Sequence, residues 1–548
     1  MSEYESILEQ IRPFGPFQVR IFVLVSLFET PLAWAMLVPI FTASNPGSYC
    51  SYMDPDKNQS LGAFSSYNSS SSVDTCSKNE SVCGEVVFKS TFTSVVSEWS
   101  LICNQNYVGD LISSLQMAGV LVGAVLTGQL ADFFGRKKVL FGEYSLLIVF
   151  WFSTAFAGSW QVYAALRFFV GGLVGGCLVV NFVLPLEFVT PKWRTFCGCV
   201  GFWAVGLMTL ALWAYFIRDW RTLNIAMSAT SVILLPLWWF ISESPRWLLS
   251  RGHIVEASKI IKEAAVFNKR PVPDLSSLES YVKREKIKKA TRRQYSYWHL
   301  CTSLSLGKGT AVCMFGWFVA SSVYYGLNFN TRNLAGDRYL NVFISGIVEI
   351  PALLFVLYTN NKLGRRRTTF LLMLTASLTC LSVLVIDLTG NFDKLSALTI
   401  TMAMISKSFI AGGWAAVQVF SAETFPTVVR NIGVGACSMS ARIGGIVASQ
   451  FVFLGESSKA IPFTIFGVLT LLCSLSMLLL EETVGVPLQD RIHVEEVIVT
   501  ASPQSEALVT SNGCISKEKE ENCTSVQETE KALVMQNGHH GVAVDMSV

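Results

Sequence analysis

The sequence predicts an all-α membrane protein whose twelve transmembrane helices form two six-helix halves. Three observations predict it. The 548 residues are 51% hydrophobic and 15% charged, against roughly 25% charged in soluble domains, so the chain lacks the side chains a water-facing surface of this size needs. Its apolar residues gather into twelve windows, each near the roughly 20 residues that cross a bilayer as a helix. Features between the second and fourth windows recur, in order, six windows later. A mean hydropathy of +0.45 excludes an ordinary globular enzyme. A net charge of +3, scattered rather than gathered on one face, excludes a nucleic-acid partner.

In chain order, residues 1–19 form a cytoplasmic N-terminus, and the first span is 20–42. It is not a cleaved signal peptide: it is long, begins at Arg20 after a polar segment with Glu residues, and lacks a small-residue cleavage site. The others are 109–131, 138–158, 160–184, 195–216, 221–241, 310–330, 339–359, 368–388, 396–419, 431–454 and 460–480. Lys and Arg in short connections mark the cytoplasmic side. Arg136, Lys137 and Lys138 follow the second span, Lys192 and Arg194 the fourth, and Arg365, Arg366 and Arg367 the eighth. Both termini are therefore expected in the cytoplasm, with halves at 20–241 and 310–482 joined by a basic cytoplasmic linker, 242–309. In that linker Ile254, Ala257, Ile260 and Ile261 recur at helical spacing.

The segment 44–108 then faces outside. It carries N-x-[ST] acceptors at Asn58, Asn68 and Asn79, and four cysteines, Cys50, Cys76, Cys83 and Cys103, enough for two disulfides in any of three pairings. The other cysteines show no metal-ligand spacing, and neither a metal nor a cofactor is expected. The tail, 483–548, is Ser-, Thr-, Glu- and Lys-rich and is expected to be disordered. Its end, Met546-Ser547-Val548, offers a ligand to a cytoplasmic scaffold.

The duplication rests on two matched pairs. Gly128-Gln129-Leu130-Ala131-Asp132-Phe133-Phe134-Gly135-Arg136-Lys137 has a weaker copy in Asn361-Lys362-Leu363-Gly364-Arg365-Arg366, and Glu187 with Arg194 seven residues on is matched by Glu423 with Arg430. Loops that merely favour Gly and basic residues explain one such site but not both in matched order. Parallel six-helix repeats do. Asp132, Gly135, Arg136, Glu187, Arg194, Asn361, Arg365, Glu423 and Arg430 are read as gating residues, whose charges pair across the two halves and hold the cytoplasmic side shut. Anchoring of the topology by basic loops is the plainer reading of the same residues.

The Gly-x-Leu-x-Asp-x-x-Gly-Arg-Lys loop among twelve spans resembles the major facilitator superfamily. Ser97-Glu98-Trp99-Ser100-Leu101-Ile102-Cys103, Glu243-Ser244-Pro245-Arg246-Trp247-Leu248 and Ala422-Glu423-Thr424-Phe425-Pro426-Thr427-Val428-Val429-Arg430 resemble solute carrier family 22 over about residues 10 to 490. Phe216-Ile217-Arg218-Asp219-Trp220-Arg221 and Trp238-Trp239-Phe240 are most similar to its carnitine branch. The resemblance implies a plasma-membrane carrier of organic cations, anions or carnitine-like zwitterions. Asn361 departs from the Asp usual at that place in the family.

An ionisable side chain in the bilayer is costly unless it faces the bundle interior. Glu29, Glu349, Lys407 and Arg442 fall near mid-membrane and sum to zero charge. Arg442 interrupts the run Gly433-Val434-Gly435 to Gly444-Gly445 and offers planar bidentate donors to a carboxylate. The resemblance places Arg here in the anion and carnitine branches and an acid in the cation branch. Arg442 could instead pair permanently with Glu29 or Glu349, and Lys407 with Glu349. Glu29 could hold a substrate ammonium or a coupling proton. Tyr324, Tyr325, Trp317, Phe318 and Trp414 lie on helices that line the cavity in the family, and aromatic faces attract quaternary ammonium groups. Gln450 is a further polar candidate. Arg167 reads as a structural tether.

A small organic zwitterion bound by opposite charges is thus the expected substrate. An organic anion on Arg442 alone is the competitor, and a non-transporting membrane scaffold is the reading from another class. Gly307-Lys308-Gly309-Thr310 lacks a phosphate-loop pattern, so energy is expected from a Na⁺ or proton gradient or from exchange. The five histidines, His253, His299, His493, His539 and His540, form no catalytic constellation.

Overall fold

Inside a bilayer the backbone must satisfy its own hydrogen bonds, which turns each apolar window into a helix. The computed structural model describes residues 3–51, 85–88, 91–275, 282, 297–301, 303–390, 394–426, 429–456 and 458–484. In chain order the spans are α1 (Pro16–Thr42), α2 (Val108–Phe134), α3 (Arg136–Thr154), α4 (Trp160–Leu186), α5 (Trp203–Phe216), α6 (Trp220–Ser231), α7 (Leu304–Asn330), α8 (Arg338–Ile347 and Glu349–Leu363), α9 (Arg365–Leu388), α10 (Ser396–Thr424), α11 (Arg430–Phe453) and α12 (Ile461–Met477). The architecture is the expected all-α membrane fold of two six-helix halves. The last span, α12, has 17 residues.

Several spans differ from uninterrupted rods, each for a local reason. In α1 the regular helix breaks at Leu27 and Phe28, ahead of Pro31, whose missing N–H leaves the Leu27 carbonyl to a looser bond from Thr30 N at 3.3 Å. α8 breaks in the same way at Val348, three residues before Pro351. α6 tightens into a 3₁₀ segment, Val232–Trp239, around Pro236.

The fifth span corrects the expectation of one helix over 195–216. A separate helix, Pro191–Cys199, ends in extended backbone at Val200, and α5 starts only at Trp203. The break brings Gly201 against Glu29: a Cβ at 201 would lie 2.0 Å from Glu29 Oε2.

Within the first half, α2 and α4 meet backbone to backbone. A Cβ on Gly123 would lie 1.8 Å from the Gly172 carbonyl oxygen, so this crossing requires small residues. Arg167, fully buried on α4, donates to the Tyr163 hydroxyl at 3.0 Å and to Asn224 Oδ1 of α6 at 2.6 Å. That is a tether within one half.

The only sheet among the described residues is an antiparallel ribbon of β1 (Ser48–Ser51) and β2 (Glu85–Phe88), in the loop between α1 and α2, with Cys50 opposite Val86. Cys103 is engaged in a disulfide. Cys76, Cys83, Asn58, Asn68, Asn79 and the tail from 485 lie outside the described residues, as do the side chains of Cys50 and Asn361.

Candidate functional site

In the second half, the restart of α8 puts Glu349 in a helical first turn, where amide dipoles favour an acid. Lys407 of α10 faces it: Nζ lies 2.8 Å from Glu349 Oε1, with both side chains almost fully buried. Tyr324 of α7 completes the cluster. Its hydroxyl donates to Glu349 Oε1 at 2.8 Å, and Lys407 Nζ sits 3.8 Å from its ring centroid. Of the alternatives the sequence leaves open, the one with Lys407 as partner of Glu349 is the geometry observed. The pair is electrically closed.

In the first half, Glu29 does not meet Arg442. Its carboxylate accepts from Asn181 Nδ2 of α4 at 3.2 Å and from the Trp203 amide at 3.2 Å. It thus caps the start of α5. Trp203 links this acid to the other half, because its indole Nε1 donates to the Tyr324 hydroxyl at 2.8 Å. Glu29, Trp203, Tyr324, Glu349 and Lys407 form one polar chain across the boundary between halves.

Arg442 of α11 stands beside Tyr325. Its Nε is buried with no hydrogen-bond partner. Tyr324, Tyr325 and Trp414 pack edge to face, with centroids 5.4 to 6.0 Å apart. Trp317 instead donates to Ser421 Oγ of α10 at 2.9 Å. Phe318 belongs to the α7–α11 contact, where a Cβ on Gly444 would lie 2.3 Å from the Phe318 carbonyl oxygen. Gln450 is drawn away from Arg442: it donates to Ser114 Oγ of α2 at 2.8 Å, and Ser114 donates to the Ile446 carbonyl at 3.1 Å.

The repeated charged motifs join helices within a half, which corrects the expectation of pairing across halves. Arg136 pairs with Asp132 at 2.9 Å and with Glu187 at 3.2 Å. Arg365 pairs with Glu423 at 3.0 Å. Arg194 reaches Glu5 of the N-terminal helix Glu3–Ile11 at 3.4 Å, and Arg430 Nε donates to the Phe425 carbonyl at 3.3 Å. Each motif folds onto its own half because a carboxylate caps the helix that follows its glycine. Glu243 accepts from the Arg136 and Lys137 amides at 3.0 and 3.1 Å, and Glu482 from the Arg365 and Arg366 amides at 2.8 and 3.2 Å.

Contacts across the halves concentrate at the other end. Arg332 Nη2 donates to both carboxylate oxygens of Asp110 at 2.7 and 2.8 Å, and Phe41 stacks on Tyr339 at 5.6 Å. With Ser114 and Gln450 these close that end of the bundle.

Sequence reasoning missed Trp203, Asp110, Arg332, Glu243 and Glu482. A further acid in the spans, Glu143 of α3, also escaped; it accepts from Thr127 Oγ1 of α2. Asp110 and Arg332 sit at helix ends, outside a count of mid-membrane charges. Trp203 carries no signal among 14 tryptophans. Glu243 and Glu482 had one: each follows the sixth helix of its half.

Comparison with known proteins agrees with the fold. The sugar (and other) transporter family matches residues 60–493. The chain is 35% identical to an organic cation transporter protein of Drosophila melanogaster, over 89% of this chain and 94% of that one. It is 32% identical to the organic cation/carnitine transporter 2 of Homo sapiens, over 90% and 94%, and 31% identical to solute carrier family 22 member 4 of Mus musculus, over 90% and 94%. In fold it is similar to the xylose transporter XylE from E. coli in a partially occluded inward open conformation, with a TM-score of 0.60 at 16% identity, covering 86% of this chain and 100% of that one.

Proposed function

The chain belongs to the sugar (and other) transporter family and, within it, to solute carrier family 22, and from that premise we propose that it carries a small carnitine-like zwitterion across the plasma membrane. It is a multi-pass membrane transporter and not an enzyme. Both termini face the cytoplasm in this proposal, so the end closed by Asp110 and Arg332 is the extracellular one and the chain is caught with its outer side shut.

One observation carries the substrate reading. Of the two bases near mid-membrane, Lys407 is buried and paired with Glu349, whereas Arg442 is half-buried beside Tyr325 and keeps a buried Nε donor with no partner among the described residues. A guanidinium at membrane depth whose Nε has no partner gains when a carboxylate arrives. The substrate carboxylate docks on Arg442. Its ammonium lies among Tyr324, Tyr325 and Trp414, where each cation–π contact contributes about 0.5–2 kcal/mol. Transport alternates access by rocking of the halves, driven by a Na⁺ or proton gradient or by exchange. The C-terminal tail serves a cytoplasmic scaffold.

An organic anion bound by Arg442 alone is the second reading, favoured by Glu29, whose hydrogen bonds are already taken by Asn181 and the start of α5. Uptake of carnitine, a simple dicarboxylate and a simple quaternary ammonium, with and without Na⁺, decides between them. The proposal expects carnitine uptake that Arg442→Ala abolishes at normal surface expression and Arg442→Lys impairs. Uptake of the quaternary ammonium alone, unchanged in Arg442→Ala, overturns it.

A further inference from the structure

Away from these residues, an open groove of about 870 Å³ lies between the start of α1 and the linker helix Ile254–Phe267. That helix turns Ala257, Ile261, Ala264 and Ala265 inward. Its opposite stripe, Val255, Ser258, Lys259, Lys262, Glu263 and Val266, lines the groove at three- and four-residue spacing. Val255 and Val266 are 85% and 69% exposed, and the two lysines stand between them. A helix face bathed by water has no use for valines at both ends; one lying on an anionic lipid surface has use for both kinds of residue.

The facing wall fixes the depth. Arg20 of α1 donates to the Phe240 carbonyl at 3.2 Å, and its guanidinium lies 5.9 and 5.6 Å from the Phe240 and Phe267 ring centroids. Phe240 and Trp239, at the end of the sixth span, are 54% and 78% exposed. Aromatic rings and a basic head at the ends of two spans mark the headgroup level of a bilayer. Three bases, Arg20, Lys259 and Lys262, oppose one acid, Glu263, so the groove carries a positive excess where acyl chains and headgroups meet.

We propose that this groove is a binding site for an anionic glycerophospholipid of the cytoplasmic leaflet, with its headgroup on Lys259, Lys262 and Arg20 and an acyl chain along Val255, Val266 and Phe267. The leaflet rests on the orientation given above. Binding by the purified protein does not depend on it or on transport, so the failure of either reading is distinguishable from the other.

The test is binding of the full-length protein, in phosphatidylcholine nanodiscs with and without phosphatidylserine, and with glycerophosphoserine as soluble headgroup. Selective uptake of phosphatidylserine is expected. A basic residue near an anionic surface contributes about 1 kcal/mol, roughly a fivefold change. Lys259→Gln with Lys262→Gln should therefore weaken binding roughly thirtyfold. Val255→Ser with Val266→Ser should weaken it too, while Arg442→Ala leaves it intact. All four groove positions changed are exposed, so the fold survives. Unchanged binding in the double-lysine variant, or equal binding of glycerophosphoserine and the intact lipid, overturns the proposal. So does displacement of the lipid by a peptide of residues 515–535, which would make the groove a seat for the chain's own tail.

Discussion

Asp110 and Arg332 are joined by two hydrogen bonds of 2.7 and 2.8 Å, the one ion pair among the described residues that bridges the two halves. The Asp110 side chain is 4% exposed and that of Arg332 13%, so screening by water is slight. Breaking a fully buried pair costs about 3–5 kcal/mol. The partial exposure of Arg332 lowers this to about 2 kcal/mol here, roughly a thirtyfold shift toward the outward-open state. Asp110→Asn should make a cysteine placed beside Arg442 reactive to an impermeant thiol reagent from outside. Exchanging the two charges, Asp110→Arg with Arg332→Asp, should restore protection. Equal labelling of wild type and Asp110→Asn would remove this contact from the outer closure.

Glu349 and Lys407 are predicted to behave as a unit. Lys407→Met leaves a buried carboxylate with only the Tyr324 hydroxyl, and Glu349→Gln leaves a buried ammonium; each costs about 3–5 kcal/mol. The double variant leaves no uncompensated charge and should recover most of the stability. Thermal midpoints of the detergent-solubilised protein read this directly. If the double variant is as unstable as the sum of the singles, the two side chains are not coupled.

The fold was legible because the bilayer imposes it: a chain that must cross lipid twelve times has to write twelve apolar windows. The positions of Glu29, Glu349, Lys407 and Arg442 near mid-span were legible for the same reason. Their partners were not. Whether Arg442 faces Glu29 or Tyr325 depends on the rotation of α11 and on the break at Val200, and composition is silent on both. The break could have been suspected from Gly198 and Gly201 within an apolar window, yet glycines are common in membrane helices. The repeated charged motifs named the right residues but not their partners, since a repeat in sequence shows that two halves match, not that they touch.

That repeat gives a third prediction. Gly135 and Gly364 hold the same backbone, φ +105 and +93, which side-chain-bearing residues rarely adopt. A Cβ would lie 2.5 Å from Glu243 Oε2 at the first and 2.4 Å from Glu482 Oε2 at the second. Gly135→Ala therefore strains the backbone by about 1–3 kcal/mol and also pushes out the carboxylate that caps α3. Gly364→Ala should lose stability by a similar amount for the matching reason. Glu243→Gln, which keeps an acceptor and loses only the charge, should cost less than either. A Gly135→Ala protein as stable as wild type would contradict the strain.

Trp203 carries the last prediction, because it makes two bonds of different kinds. Its main-chain amide belongs to Glu29 within the first half, and its indole N–H belongs to Tyr324 in the second. Trp203→Phe keeps the amide and an aromatic ring and removes only the indole donor. A neutral hydrogen bond contributes about 1 kcal/mol net, so the outward-open fraction, read by the same labelling as for Asp110, should rise roughly fivefold. Asn181→Ala weakens the hold on Glu29 from inside the first half and should leave that fraction unchanged. If both variants open the outer side equally, the boundary is governed by the packing of α5 as a whole. If only Trp203→Phe does, the link from Trp203 to Tyr324 is what the halves must break to rock apart.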